Sequence, residues 1–214
     1  MPVSRTIRLR RESWGFAVGS LLFAVGAVLS ASDLLDVGIT DLIFFTGALF
    51  FTAAAFIQLA MTRRPRRDLT RADSVDWWAA VVQFGGTLFF NLSTTEALLN
   101  GLDPASHLRT GWRPDVFGSA CFLLAGVLGI VATTMRDTLW DPNARIWRCT
   151  WLNMVGSIFF AISAIGAYVA PSTGEVLSEL WANAGTLLGA ACFLAAALLS
   201  RGAEVRPPSA TPHR

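Results

Sequence analysis

The chain has 214 residues, of which 53% are hydrophobic and 15% are charged. This composition is too apolar for an ordinary soluble domain and is typical of a protein with several membrane spans. The connections between the apolar runs are short, so the sequence leaves no separate soluble domain that would hold an active site.

Six apolar runs divide the chain, at about 14–31, 39–61, 77–99, 114–134, 149–169 and 179–200. Each has roughly 18 to 23 residues, which is enough for a helix to cross a hydrocarbon core of about 30 Å. A segment in lipid must satisfy its own backbone hydrogen bonds, and a helix does so. The sequence therefore predicts an all-α polytopic membrane protein with six transmembrane helices.

Arginine is distributed unevenly between the connections. Every basic residue is Arg, and 15 of the 17 fall before the first run, in the second and fourth connections, or in the tail. The positive-inside rule then places both termini in the cytoplasm of a cell membrane. We expect a cytoplasmic segment at 1–13, the membrane domain at 14–200 and a disordered cytoplasmic tail at 201–214. A signal peptide is the alternative for the first run, but that run carries the same repeat as the later ones.

A five-residue pattern recurs along the runs: Gly, a small residue, two residues of any kind, then Phe. The copies begin at Gly19, Gly47, Gly86, Gly118 and Gly156 and end at Phe23, Phe51, Phe90, Phe122 and Phe160. A sixth copy, from Gly185, has Gly189 in place of Phe. The spacing between these glycines alternates between short and long, which predicts three helical hairpins at 14–61, 77–134 and 149–200.

The pattern is suited to close helix packing. Small residues let neighbouring helices approach each other in lipid, and a Phe four residues on lies on the same face as its Gly. All five Phe fall near the predicted bilayer midplane, so their rings would fill the centre of the bundle. Such a tier argues against a wide, permanently open pore and allows either a solid bundle or a hydrophobic gate. The pairs Gly15/Gly19 and Gly185/Gly189 would either close the bundle or join two copies in a homo-oligomer.

The repeated segments resemble a known family. Val18-Gly19-Ser20-Leu21-Leu22-Phe23 and Val155-Gly156-Ser157-Ile158-Phe159-Phe160 are similar to the paired helices of the YrhK-type family of small bacterial membrane proteins. The resemblance implies a membrane protein built from helical hairpins and supplies no catalytic residues. The sixth copy departs from the pattern at Gly189, which makes the last hairpin the weakest match.

Polar residues inside the runs are the other candidates for function. Gln83, Thr87, Asn91 and Thr94 fall on one face of the third helix, and Asn153 lies in the fifth. Polar residues inside a membrane often mark a solute path, and they also hydrogen-bond helices to each other. The stripe is therefore either polar glue between helices or the lining of a path.

Residues that could bind a metal ion or act in catalysis are few. His107 and His213 are the only histidines, and the three cysteines form no CxxC pair, so we expect no metal, no other cofactor and no catalytic residues. The favoured hypothesis is a non-enzymatic protein that acts through helix packing or protein contacts. A small-solute or ion transporter that uses the third-helix stripe is the alternative, and a membrane enzyme ranks third. The lipid bilayer is the expected partner, and nucleic acid is not.

Overall fold

The computed structural model describes residues 2–32, 34–62, 70–102, 113–136, 145–170 and 172–201. They form six helices and, within these ranges, no strand. The helices are α1 Pro2–Ser32, α2 Val37–Thr62, α3 Arg71–Leu102, α4 Pro114–Met135, α5 Arg145–Gly166 and α6 Glu179–Arg201. One antiparallel bridge, between Val169 and Val176, tightens the connection from α5 to α6.

The apolar runs predicted the helices well, with two differences. Helix α1 begins at Pro2, so the predicted segment 1–13 is helical from its second residue. Five of the described helices are long and apolar enough to cross a membrane, and α3 is not among them. Asp73, Asp76 and the polar stripe lower its hydropathy.

The six helices form a closed ring in chain order. Each described helix packs against the helices before and after it in the chain, and α1 packs against α6. At one end of the ring, which we call the terminal end, the Ser13 and Ser200 hydroxyls lie 2.9 Å apart and join α1 to α6. The opposite end, which we call the distal end, carries the connection from α5 to α6.

Helices α1 and α2 meet through a reciprocal contact between glycine and phenylalanine. A Cβ atom added at Gly19 would lie 2.8 Å from the Phe51 ring, and one added at Gly47 would lie 2.9 Å from the Phe23 ring. These distances are shorter than a Cβ contact allows. Each Phe therefore occupies the space that the missing side chain of the partner's Gly leaves open.

The same exchange joins α3 to α4. A Cβ atom added at Gly86 would lie 2.8 Å from the Phe122 ring, and one added at Gly118 would lie 2.8 Å from the Phe90 ring and 3.0 Å from the Gly86 carbonyl oxygen. Both partners of each contact come from helices that are consecutive in the chain. The grouping into three hairpins stays a prediction, because each helix also packs against its other neighbour in the ring.

In α6 the copy that makes this contact is not the predicted one. The copy of the pattern that contacts Gly156 begins at Gly189, reads Gly-Ala-Ala-Cys-Phe and ends at Phe193. An added Cβ at Gly156 would lie 2.9 Å from the Phe193 ring, and one at Gly189 would lie 2.7 Å from the Phe160 ring. The predicted start at Gly185 is displaced by about one helical turn, and the copy that begins at Gly189 matches the pattern in full.

The two glycine pairs proposed for self-association make contacts inside the chain. An added Cβ at Gly15 would lie 2.9 Å from the Ala54 Cβ on α2, and one at Gly185 would lie 2.7 Å from the Phe159 carbonyl oxygen on α5. The partners differ from those expected, since these pairs do not join α1 to α6. A homo-oligomer through Gly15/Gly19 or Gly185/Gly189 stays a prediction, and it would compete with these contacts.

Two glycines on α4 give a matched test of the packing. In Gly118→Ala the new methyl group would overlap the Phe90 ring and the backbone of α3, which we expect to cost about 1–3 kcal/mol of stability. Gly129 has no atom within 4 Å of an added Cβ, so Gly129→Ala should be neutral or stabilise the helix by up to about 1 kcal/mol. Melting temperatures of the purified variants in detergent measure both effects. An equal decrease in both variants would contradict the packing role of the pattern.

Candidate functional site

Six phenylalanine rings meet on the axis of the ring of helices, one from each helix. They stand in two layers and form what we call the phenylalanine plug. The layer toward the distal end contains Phe23, Phe90 and Phe160 from the odd-numbered helices, and the layer toward the terminal end contains Phe51, Phe122 and Phe193 from the even-numbered helices.

The plug is closely packed. Ring centroids lie 5.7–6.1 Å apart within the distal layer and 5.7–6.4 Å apart within the terminal layer. The two rings of each helix pair lie closer, at 5.0–5.5 Å across the layers. These separations are those of favourable edge-to-face and offset aromatic pairs. The predicted tier of Phe23, Phe51, Phe90, Phe122 and Phe160 therefore exists, with Phe193 as its sixth member.

The small residue that follows each pattern Gly is buried in the wall around the plug. These side chains are at most 2% exposed, and they are Ser20, Ala48, Thr87, Ser119, Ser157 and Ala190. The void left between five of the rings and Thr87 has a volume of only about 10 Å³. That is no more than the space one water molecule needs, so the plug is closed to solutes.

A cavity of about 560 Å³ lies on the terminal side of the plug, and we call it the terminal cavity. Its floor consists of the terminal layer of Phe rings. Its polar wall residues come from five helices and include Glu12, Gln58, Gln83, Asn153 and Ser200. The plug therefore borders a space with polar side chains in its wall on this side.

A second cavity, of about 420 Å³, lies on the distal side, and we call it the distal cavity. The distal layer of Phe rings forms its floor. Its wall mixes charges of both signs, with Asp41, Asp115 and Arg113 alongside Thr94 and Asn183. The two cavities thus lie on opposite sides of one aromatic barrier.

The predicted stripe on α3 follows the axis from one cavity to the other. Gln83 lines the terminal cavity, Thr87 faces the plug, and Thr94 lines the distal cavity. Asn153 on α5 also lines the terminal cavity. Thr87 and Thr94 donate hydrogen bonds to carbonyl oxygens of their own helix, so neither of these bonds joins two helices.

Asn91 differs from the rest of the stripe. Its side-chain amide donates a hydrogen bond to the Thr52 hydroxyl on α2, and it lines neither cavity. This residue therefore joins two helices, which is the role that the glue interpretation gave it.

Arg136 holds α4 to α3 beside the terminal cavity. Its guanidinium donates hydrogen bonds to Asp76 at 2.6 Å and to Asp73 at 3.1 Å. The hydrogen bond to Asp76 raises the pKa of Arg136 above its usual range, so the ion pair persists across the physiological pH range. The two carboxylates that it contacts also line the terminal cavity.

Several residues of the site had no place in the sequence prediction. The sequence pattern could have identified Phe193, because Gly189, Ala190 and Phe193 fit the repeat. Glu12 lies two residues before the first predicted run and belongs to a segment expected to be cytoplasmic. Gln58 is one of several polar residues in an apolar run, and only the position of α2 in the ring shows that it faces the cavity.

Comparisons of the chain with protein-family models, with curated proteins and with solved structures found no match. The resemblance to the YrhK-type family stays a prediction from the repeated segments. The two cavities and the plug are therefore the features on which a function can be proposed.

A double-mutant cycle tests the bond between Asn91 and Thr52. Asn91→Leu and Thr52→Val each remove one partner, and each should lower the melting temperature in detergent. The double variant should lose less than the sum, with a coupling of about 0.6 kcal/mol, as is typical between membrane helices. Strictly additive losses would show that the two side chains do not stabilise the bundle through each other.

Proposed function

We propose that this chain is a multi-pass membrane protein whose ring of helices forms a pathway for a small solute or ion, closed by the phenylalanine plug in the conformation described. The observation that carries the proposal is the pair of cavities on opposite sides of one aromatic barrier, each with polar side chains in its wall. A transport pathway requires access from both ends and a barrier between them.

The outer surface of the ring supports membrane insertion. Large apolar side chains are exposed along the outside of the helices, among them Leu21, Phe56, Leu92, Phe117 and Leu124. Such a surface is unfavourable in water and suits the hydrocarbon core of a bilayer. Gln83, Thr87 and Thr94 of α3 line the cavities or face the plug, which explains how a helix of lower hydropathy would fit in the same ring.

The plug is suited to act as a hydrophobic gate. A narrow, apolar constriction excludes water and ions without a charged barrier. The contacts between rings are individually worth about 0.5–1.5 kcal/mol beyond their buried area, so small rotations of a few helices could part them.

The packing hypothesis remains the second candidate, and the hydrogen bond between Asn91 and Thr52 favours it. A protein that acts only through packing or protein contacts, however, gains nothing from polar cavities inside its bundle. Burying polar groups in a membrane protein is costly. We therefore rank the transport pathway first, and the proposal includes no catalytic step.

We propose a cell-membrane location with both termini in the cytoplasm, which rests on the arginine distribution. Thr173 is exposed in the connection at the distal end, whereas Ala210 lies outside the described residues. In intact cells, Thr173→Cys should react with a membrane-impermeant thiol reagent and Ala210→Cys should not. Labelling of the cysteine at 210 alone would show the opposite orientation, with the C-terminus outside the cell.

The gate is tested by opening both layers of the plug at adjacent rings. Phe90 and Phe122 have centroids 5.0 Å apart, and Phe90→Ala/Phe122→Ala should raise the passive flux of Rb⁺ or urea through proteoliposomes. Each 1.4 kcal/mol removed from the barrier increases the rate about tenfold.

The same two helices supply the control. Phe89 and Phe117 are exposed on the outside of the ring, with centroids 5.7 Å apart. Phe89→Ala/Phe117→Ala removes the same number of atoms and should leave the flux unchanged. If the plug variant folds and its flux equals that of the parent, the gate is refuted and the packing hypothesis takes its place.

A further inference from the structure

One carboxylate of the terminal cavity has an unpaired oxygen. Glu12 Oε2 is shielded from solvent and has no hydrogen-bond partner, and Gln58 Oε1 is in the same condition. The contact between Gly15 and Ala54 fixes the antiparallel register of α1 and α2. Glu12 lies three residues before Gly15 and Gln58 four residues after Ala54, so the two side chains stand at the same level. Two buried acceptors without a donor leave room for a cationic ligand.

The charges around the cavity favour a cation. Arg136 contacts Asp73 and Asp76 and balances much of their charge. No basic side chain is among the described residues that line the terminal cavity, whereas three carboxylates are, those of Glu12, Asp73 and Asp76. Along this described part of the wall an anion would meet carboxylates and no cationic group.

The floor of the cavity favours an organic cation over a metal ion. Phe16, Phe51 and Phe193 line it with aromatic surface, which attracts ammonium groups and covers apolar ones. A divalent metal ion instead needs about six oxygen ligands. Among the described residues no three His, Cys, Asp or Glu side chains converge.

We propose that the terminal cavity binds a small organic cation, with its ammonium group against Glu12 and its apolar part on the rings of Phe16, Phe51 and Phe193. A volume of about 560 Å³ accommodates a molecule of that kind. The inference rests on the proposed function for its biological role, because it names the class of solute that would enter the pathway from the terminal end.

Equilibrium binding to the purified full-length chain tests the site with two probes of similar size and opposite charge. We expect calorimetry to detect binding of phenyltrimethylammonium and none of benzenesulfonate. Glu12→Gln keeps the shape of the side chain and removes its charge, and it should weaken phenyltrimethylammonium binding about tenfold or more. Glu175→Gln, at an exposed position between α5 and α6, should bind like the parent.

Equal binding of the two probes, or parental affinity in Glu12→Gln, would overturn the site. If Glu12→Gln does not fold, the comparison of the two probes on the parent still decides. Flux in proteoliposomes separates this inference from the proposed function. Binding of phenyltrimethylammonium without any flux would refute the pathway and keep the site, whereas flux of Rb⁺ or urea without binding would refute the site and keep the pathway.

Discussion

The close approach of a glycine on one helix to a phenylalanine ring on its neighbour is the contact on which the structure depends. Gly19 receives the Phe51 ring and Gly47 receives the Phe23 ring, and the other two helix pairs repeat the exchange. Each contact brings two backbones together and turns both rings toward the axis. Because the six helices contribute one ring each, in two adjacent layers, the rings meet and close the centre of the bundle.

A closed ring of six helices encloses more space than six rings can fill. The surplus appears as the two cavities, of about 560 and 420 Å³, on either side of the plug. Side chains that face this space point away from the apolar outer surface of the ring, so polar residues such as Gln83 and Asn153 are tolerated there. The arrangement accounts for the low hydropathy of α3, whose polar face borders both cavities.

The two cavities differ in charge although the helix pairs that form them are alike. In the terminal cavity the carboxylate of Glu12 has no cationic neighbour along the described wall, whereas Arg113 stands with Asp41 and Asp115 in the distal cavity. Along the described walls, the terminal cavity therefore carries acidic side chains and the distal cavity carries charges of both signs. The repeated pattern thus supplies the rings of the plug, and residues outside the pattern give the two cavities different charges.

The sequence by itself determined six helices near their observed bounds, the five pattern phenylalanines and the polar face of α3, because hydropathy and helical periodicity are local properties. Only the tertiary structure decided which helices meet. It moved the last pattern copy to Gly189, turned Asn91 toward Thr52, and brought Glu12 into a cavity with Gln58. Periodicity fixes which residues share a face of one helix, but the order and register of the ring decide what that face meets.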